Sequence, residues 1–261
     1  MVSEEAVRWS FRLILGREPE NERIVQQHMR LDTIEALRKG LFASQEFQAK
    51  ISGSQLPPIW VWADVAGGDR RMRINLGDAH VSMGCLRDDY EHLETAVLRA
   101  VLRNDDTFID IGANIGWYTI IASTIITPPG SIIAFEPRPE TAANLRLSLE
   151  ENRLTDLVRL FEAGLADHAQ QAKLTWLAGT DNPGGSHLGS GDSVGSEFAE
   201  ISLITLDSLE LSRCDVIKMD VEGAEFRVIK GGEQTLRAQQ PLILSELHPQ
   251  QLVARENHST D

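Results

Sequence analysis

The sequence predicts an α/β fold, in which helices cover both faces of a mostly parallel sheet and a small all-α module precedes it. Three observations support this prediction. After residue 100, short apolar runs of strand length alternate with longer helical patterns. One run, within residues 107–126, leads straight into a turn punctuated by glycines and then into an apolar helix. Residues 3–51 show a series of short helical patterns.

The helical module at the N-terminus contains three groups of apolar residues at helical spacing. Gly16 and Pro19 separate the first two groups, and Asp32 precedes the third group as the expected cap of a helix. Helices this short are unstable in isolation, so we expect them to pack together. The module is either a docking or dimerising element or a helical cap on the main domain.

The boundary between the module and the main domain falls in the sequence GSQLPP. Its glycine and its two adjacent prolines continue neither a helix nor a central strand. We therefore predict a helical module over residues 1–52, a linker over 53–58 and a main domain over 59–261. Residues 59–84 form an extension at the start of this domain, because two apolar runs separated by AGGD predict a β-hairpin.

The remaining elements of the main domain follow from the same patterns. Residues 80–83 are expected to form a third short strand beside the hairpin. The expected helices cover residues 91–102, 117–126, 139–152 and 224–236. The expected strands cover residues 108–111, 132–135, 157–161, 173–177, 200–206, 216–219 and 242–244.

The turn after the first buried strand carries the spacing DxGxNxG, formed by Asp110, Gly112, Asn114 and Gly116. Its glycines let the backbone turn tightly and approach a ligand at the start of a helix. A dinucleotide-binding turn instead reads GxGxxG, and a pyrophosphate would here meet the carboxylate of Asp110. The spacing therefore argues against a nicotinamide cofactor and a P-loop, and it favours a ligand with a cationic group. A plain tight turn is the alternative for this motif alone.

Glu136 ends the second buried strand, twenty residues after Gly116. An acidic side chain at this place can accept hydrogen bonds from both hydroxyls of a ribose. A ribose carboxylate beside a turn that suits a cation indicates a nucleoside with positive charge. S-adenosylmethionine, which carries an ammonium and a sulfonium, meets both requirements and is the predicted cofactor.

Four polar side chains follow the last two parallel strands: Asp220, Glu222, Glu246 and His248. The carboxyl ends of such strands form the ligand-binding edge of open α/β sheets. An alcohol that accepts a methyl group loses its proton, so one of these groups is expected to act as a base, with Asp220 and His248 ranked first. A cap of the following helix is an alternative for the first two acids. A Mg²⁺ site is an alternative for the cluster, but no metal ligand is assigned.

Four sequence motifs together resemble the FkbM family of S-adenosylmethionine-dependent O-methyltransferases, over about residues 85 to 250. They are FIDIGANIGWYT, AFEP, VIKMDVEGAE and PLILSELHP. The resemblance implies a class I methyltransferase fold with a Rossmann-like sheet, and methylation of a hydroxyl on a sugar, a glycan or a natural product. The phrases FRLILGREP and FASQEF resemble a small helical module of unknown function found in bacterial enzymes and surface proteins.

The family resemblance also implies roles for residues outside the central turn. It places Gly164 and Leu165 beside the adenine, and Tyr90 and Glu91 at the border of the pocket or simply at the start of a helix. A glycine-rich loop follows residue 177, where the family has a variable loop. Its polar residues Asn182, Ser186 and His187 suit a substrate lid, and a mobile insertion is the alternative.

Composition limits the function classes. The formal net charge is −14, from 39 acidic and 25 basic residues, which disfavours nucleic-acid and anionic-membrane partners. No apolar run reaches the roughly 18 residues of a membrane span, and the N-terminus lacks the pattern of a signal peptide, so a cytoplasmic protein is expected. Cys85 and Cys214 are far apart and predict two buried thiols rather than a disulfide or zinc site.

The last predicted strand is followed only by residues 245–261, so the final antiparallel hairpin of a class I fold is expected to be absent. The strand would then expose an open sheet edge. Three arrangements are compatible with this edge: the early hairpin over residues 59–76 folds back onto it, a homodimer covers it, or the chain is truncated, and the homodimer is the prediction. A weakly active or truncated S-adenosylmethionine-binding protein is the alternative function, and a nicotinamide-dependent oxidoreductase is a further one.

Overall fold

The computed structural model describes residues 1–51, 59–78, 80–177, 187–188 and 196–245. The helices are α1 (Glu4–Ser10), α2 (Glu22–Met29), α3 (Ile34–Phe42), α4 (Gln45–Ile51), α5 (Val81–Leu86), α6 (His92–Val101), α7 (Trp117–Ala122), α8 (Pro139–Glu151), α9 (Glu225–Gly231) and α10 (Glu233–Gln239). The strands are β1 (Trp60–Val65), β2 (Arg70–Asn75), β3 (Thr107–Ile111), β4 (Ser131–Phe135), β5 (Val158–Phe161), β6 (Gly164–Leu165), β7 (Gln170–Leu177), β8 (His187–Leu188), β9 (Ser196–Ile204), β10 (Val216–Met219) and β11 (Leu242–Ser245).

A five-stranded parallel sheet in the order β11-β10-β3-β4-β5 forms the centre of the main domain. Successive residues of β3 enter two different cores: Phe108 packs with α6, α7 and α8, whereas Ile109 packs with α9 and α10. This alternation is the pleat of a strand buried on both faces. The prediction of a parallel sheet with helices on both faces is therefore confirmed.

A second sheet, in the order β6-β9-β7-β8, follows the central sheet in sequence. Strands β7 and β9 pair antiparallel over their whole lengths, from Gln170 opposite Leu203 to Leu177 opposite Ser196. The two strands enclose residues 178–195, of which the structure describes only 187 and 188. The predicted lid residues Asn182 and Ser186 lie outside the described residues, and of His187 only the backbone is described.

The early hairpin, β1 and β2, forms its own antiparallel sheet and rests on α8. The backbone N–H of Arg71 donates to Asn152 (2.9 Å), and that of Arg73 donates to the Ser148 hydroxyl (2.9 Å). The hairpin does not pair with β11, which is an edge strand among the described residues. Of the three arrangements for that edge, the one in which the hairpin folds back onto it is therefore wrong: the hairpin forms its own sheet, and its hydrogen bonds are directed to α8 and its C-cap.

Residues 80–83 do not form the predicted strand but enter the helix α5. The reason is Asp78, whose buried carboxylate accepts hydrogen bonds from the backbone N–H groups of His80 (3.0 Å), Val81 (3.1 Å) and Ser82 (2.8 Å). A side-chain acceptor at this place satisfies the free donors of a first helical turn. Burial raises the pKa of Asp78, and these N–H groups oppose the rise.

Three helix boundaries also differ from the predictions. Helix α3 is capped by Thr33, whose hydroxyl accepts from the N–H of Ala36 (3.0 Å), and not by Asp32. The helix after the central turn ends at Ala122 instead of residue 126. The predicted helix 224–236 is divided at Gly232 into α9 and α10. Such end points depend on local capping, which apolar periodicity alone does not specify.

The N-terminal helices pack against the hairpin. The Arg38 guanidinium donates to the carbonyl of Trp62 (2.9 Å), and the Lys39 ammonium donates to that of Asp64 (3.3 Å). These contacts agree with a helical cap. The predicted linker 53–58 lies outside the described residues, so the division into module, linker and main domain remains a prediction.

Two predictions from composition can be compared with the described residues. Cys85 and Cys214 are both buried free thiols, as predicted. Burial raises the pKa of both, that of Cys214 to about 12, so neither thiol is readily ionised. In the described part of the chain, no helix combines the length and the apolar character that crossing a membrane requires.

Candidate functional site

The turn between β3 and α7 is anchored to the end of β4. The backbone N–H groups of Gly112 and Ala113 both donate to the carbonyl of Phe135, at 3.0 and 2.9 Å. Three residues of the turn have a positive φ: Gly112 (81°), Asn114 (52°) and Gly116 (95°). This left-handed backbone reverses the chain within a few residues and directs it into α7.

Gly112 and Gly116 lie where a side chain does not fit. A Cβ atom on Gly112 would lie 1.9 Å from the carbonyl oxygen of Asp220, and one on Gly116 would lie 2.2 Å from a methyl group of Leu145. The turn therefore packs directly against the end of β10 on one side and against α8 on the other. This close approach explains both glycines of the motif.

Glu136 connects the turn to the second strand, as the sequence predicted. One carboxylate oxygen accepts from the N–H of Asn114 (2.8 Å), and the other accepts from that of Arg138 (2.8 Å). Burial raises the pKa of Glu136 to about 7, and the two N–H groups oppose the rise. Each oxygen keeps a further lone pair, so the carboxylate can also accept from two ribose hydroxyls. That contact remains a prediction.

Asn114 provides an independent test of whether this turn suits a ligand. Its side-chain oxygen is buried, and it has no hydrogen-bond partner within the described structure. A buried acceptor without a donor is costly, so the site suits a ligand that brings an N–H or O–H group. S-adenosylmethionine has such groups. The residues present therefore fit this cofactor.

Asp110 lies behind the turn. Its side chain is 1% exposed, and its carboxylate accepts from the hydroxyl of Thr119 at 2.6 Å. Lys218 is its cross-strand neighbour on β10. Burial raises the pKa of Asp110 to about 6, whereas Thr119 and Lys218 act in the opposite direction. Contact between Asp110 and a cationic ligand remains a prediction, and the structure places a fully buried carboxylate there.

Asp220 and Glu222 follow β10 beside the central turn, and both are half-buried. The N–H of Asp220 donates to the carbonyl of Ile111 (3.0 Å), which holds the ends of β10 and β3 together. Helix α9 begins at Glu225, and its N-cap residue is Ala224. Neither acid occupies the N-cap position, so the capping alternative is wrong. The other two proposed bases, Glu246 and His248, lie outside the described residues.

Gly164 and Leu165 form the short strand β6 after β5. A Cβ atom on Gly164 would lie 2.7 Å from a methyl group of Leu203, so this position has little space for a side chain. Leu165 is buried in the core beneath the sheet, with Ile111 and Phe135. Their proposed place beside an adenine remains a prediction.

Glu225 was missed at the sequence level. Its side chain is 1% exposed, one carboxylate oxygen accepts from the N–H of Gly223 (3.0 Å), and the other has no described partner. The sequence does point to this residue, because Glu225 is the third acid of the motif DVEGAE, whose first two acids were predicted as site residues. Lys218 was missed as well, although a lysine inside a four-residue buried strand is unusual.

Within the described residues, no group of three histidine, cysteine, aspartate or glutamate side chains is arranged to hold a metal ion. Glu246, one of the carboxylates to which the Mg²⁺ alternative refers, lies outside that part of the chain. The Mg²⁺ alternative therefore remains untested.

The fold and the site define a class of protein. The parallel sheet has α6, α7 and α8 on one face and α9 and α10 on the other, a glycine turn after β3, and an acid after β4. These features are those of a class I methyltransferase fold. A family model described as the methyltransferase FkbM domain matches residues 110–258, more than half of the chain. The chain belongs to the FkbM methyltransferase family.

Individual relatives agree with this assignment. The hexuronic acid methyltransferase AglP of Haloferax volcanii is 30% identical over 162 residues, which cover 59% of this chain and 62% of that protein. Methyltransferase 1 of Beauveria bassiana is 29% identical over 150 residues, covering 49% of this chain and 59% of that protein. The chain thus spans about three fifths of the length of these relatives.

A solved structure of methyltransferase FkbM from Methylobacillus flagellatus is also similar. It is 14% identical to this chain, the TM-score is 0.42, and the match covers 95% of this chain and 51% of that one.

Proposed function

We propose that this protein transfers a methyl group from S-adenosylmethionine to a hydroxyl group of a sugar, a glycan or a natural product. One observation carries the proposal: the glycine turn is bonded to Glu136 on one side and packs against the backbone of Asp220 on the other. A carboxylate that suits a ribose and a carboxylate that suits an acceptor proton thus flank one turn. Membership of the FkbM family supports the same chemistry.

The chain's residues have separable tasks in this reaction. The bound cofactor supplies an electrophilic methyl group on its sulfonium. Glu136 and the side-chain oxygen of Asn114 would hold the nucleoside, so that the acceptor oxygen meets the methyl carbon in line. Asp220 accepts the proton of the acceptor hydroxyl as the new bond forms, which makes the oxygen a better nucleophile. The turn between β10 and α9 places Glu222 at the same edge of the sheet.

The acceptor class is proposed from the relatives. One of them is named as a methyltransferase of hexuronic acid, which is a sugar acid with several hydroxyl groups. Another is named the methyltransferase sdnD of Sordaria araneosa and is 27% identical over 167 residues. Because this chain spans only part of each relative, the identity of its own acceptor has to be measured. Transfer of a labelled methyl group to a panel of glycans and natural products is the direct assay.

A ligand-binding experiment tests the cofactor. S-adenosylhomocysteine at a hundredfold its dissociation constant should stabilise the fold by about 2.7 kcal/mol. That gain corresponds to a rise in melting temperature of roughly 5 to 10 °C for a protein of this size. NADH should leave the melting temperature unchanged. A shift with NADH and none with S-adenosylhomocysteine would reverse the assignment.

The variant Glu136→Gln makes this experiment specific for the site. The amide has one acceptor oxygen in place of two, so affinity for S-adenosylhomocysteine should fall by roughly 10- to 100-fold. Glu150→Gln, an exposed change on α8, is the matched control and should bind normally. Equal affinity in the two variants would show that the ribose binds elsewhere.

We further propose that the outer edge of β11, which pairs with no further strand in the part of the chain that the structure describes, is covered by a second copy of the chain in a homodimer. Apolar side chains are exposed there on β11 and α9: Phe226, Ile229, Leu242 and Ile243. An exposed apolar edge strand is a template for pairing with another chain. Sedimentation equilibrium at micromolar concentration should give about twice the chain mass of 29.0 kDa, and Ile243→Lys should restore the monomer. A monomeric wild type would contradict the proposal.

A further inference from the structure

A rim of four aromatic and charged side chains, Trp60, Arg138, Glu140 and Trp176, lies on the Glu136 side of the central turn, and no step of the proposed chemistry uses it. The Trp60 indole N–H donates to one carboxylate oxygen of Glu140 (3.1 Å). The other oxygen of Glu140 lies 3.5 Å from the guanidinium of Arg138. That guanidinium lies over the ring of Trp176, 4.4 Å from its centroid. One chain of contacts thus joins the early hairpin, the start of α8 and the second sheet.

The tryptophans of the rim are held in a defined orientation and are still partly exposed. Trp176 on β7 is paired with Glu197 on β9, and its indole N–H donates to that carboxylate (3.0 Å). Each indole is therefore oriented by a carboxylate bonded to its N–H. Both rings are half-buried, and the Glu140 side chain is 45% exposed. Aromatic rings with a bonded polar edge and an accessible apolar part are typical of binding surfaces.

The rim combines the two kinds of group that bind a sugar ring. The C–H groups on one face of a sugar pack against aromatic rings, and its hydroxyls both donate and accept hydrogen bonds. Arg138 and Glu140 lie side by side, so they offer a donor and an acceptor to two neighbouring hydroxyls. The carboxylate has about four acceptor positions, of which Trp60 and Arg138 engage two.

The charges of the rim favour a neutral sugar over an acidic one. Two carboxylates, those of Glu140 and Glu197, accompany the guanidinium of Arg138. A carboxylate on the ligand would meet this excess of negative charge, and like charges at close range repel each other. The formal net charge of −14 acts in the same direction.

The rim lies at a distance from the place of methyl transfer. The N–H of Arg138 donates to Glu136 at the end of β4 (2.8 Å), whereas the proposed base, Asp220, follows β10. Because β3 separates β4 from β10, the two strand ends are about 10 Å apart. This separation exceeds the width of one sugar ring. A ring bound at the rim is therefore a further unit of the acceptor and not the unit that is methylated.

We propose that the rim is a subsite for a neutral sugar unit next to the methylated one, so that the acceptor is a glycan of at least two units. Glu197 is a positioning residue, which acts through its bond to Trp176. This inference rests on the proposed function, because it selects the glycan among the acceptors of that reaction and assigns residues that bind it.

The test compares acceptors of increasing length, once each variant has been shown to bind S-adenosylhomocysteine. Labelled methyl transfer is measured with neutral gluco-, manno- and galacto-oligosaccharides of one, two and three units. In the wild type, kcat/KM should rise by about tenfold or more from one unit to two. In Trp176→Leu and in Glu140→Gln, this gain should fall to about twofold or less. Two matched controls should keep the gain: Trp9→Leu, which replaces an exposed tryptophan covered by Arg12, and Glu150→Gln on α8.

A uronic acid as the second unit tests the charge argument. In the wild type, kcat/KM for this disaccharide should be roughly 2- to 5-fold lower than for the neutral one, which is the usual effect of one exposed charge pair. In Glu140→Gln the difference should shrink, because one of the two repelling carboxylates is removed. A wild type that prefers the uronic acid would overturn the assignment of a neutral sugar.

Other outcomes would overturn the subsite itself. Equal kcat/KM for one and two units in the wild type, or transfer to none of the oligosaccharides, would reject it. Equal losses of S-adenosylhomocysteine affinity and of methyl transfer in Trp176→Leu would place the rim at the cofactor instead. If Trp176→Leu does not fold, Trp60→Phe keeps the aromatic ring, removes its bond to Glu140 and should lower the gain by a smaller factor. A wild type that binds no S-adenosylhomocysteine would reject the proposed function.

Discussion

Replacing Asp220 with asparagine should lower the turnover number by about 10²- to 10⁴-fold, which is the usual contribution of a general base. Asparagine has nearly the same shape as aspartate, so the contact between β10 and the central turn is retained. The affinity for S-adenosylhomocysteine should therefore stay within about threefold of the wild-type value. A loss of turnover with intact cofactor binding indicates a group that acts on the acceptor proton.

The experiment measures transfer of a labelled methyl group, once the acceptor panel has identified a substrate. Asp156→Asn, an exposed change after α8, is the matched control and should turn over normally. The other candidate bases, Glu222, Glu246 and His248, are compared by Glu222→Gln, Glu246→Gln and His248→Ala. If one of these variants loses turnover while Asp220→Asn keeps it, the base is that residue. If a chelator alone abolishes activity, the Mg²⁺ alternative replaces a simple base.

Gly112→Ala should destabilise the protein by roughly 3 kcal/mol or more and abolish cofactor binding. The backbone φ of 81° alone costs about 1 to 2 kcal/mol for a residue with a Cβ atom. The added atom would also lie 1.9 Å from the Asp220 carbonyl oxygen, and that oxygen belongs to backbone that cannot rotate away. The two strand ends must then separate, which disrupts the turn between Glu136 and Asp220.

Thermal unfolding measures this effect. For a chain of this length, a loss of 3 kcal/mol corresponds to a fall of roughly 6 to 12 °C in melting temperature. Gly40→Ala is the matched control, because Gly40 lies within α3 and has no atom within 4 Å of an added Cβ. Alanine there should be neutral or stabilising by up to about 1 kcal/mol. Wild-type melting and cofactor binding in Gly112→Ala would contradict the proposed close packing.

The sequence predicted most of the central sheet, because buried parallel strands are short, apolar and separated by helices. Strands β3 and β10 begin or end within one residue of the predicted bounds. The prediction failed at residues 80–83, where a short apolar run fits a strand and a helix equally well. At these residues the helix is favoured because the side chain of Asp78 accepts hydrogen bonds from the backbone N–H groups of its first turn.

The residues of the candidate site also fall into two groups, those that the sequence could predict and those that it could not. The glycine turn and Glu136 were predictable, because a turn and the following strand end lie close in sequence and their chemistry is visible in spacing. Glu225 could have been found from its motif. The ion pair between Lys218 and Glu91 could not be predicted, since no spacing relates a lysine on β10 to the residue that precedes α6.

The sequence by itself determined the family, most strands of the central sheet, and the glycine turn that lies beside Glu136. These features depend on local periodicity, on turns that only glycine tolerates, and on motifs of a few residues. Only the tertiary structure decided that Asp110 is buried behind the turn, that the hairpin rests on α8, and that Lys218 pairs with Glu91. These arrangements bring distant segments together, and burial and long-range pairing are properties of the packed chain.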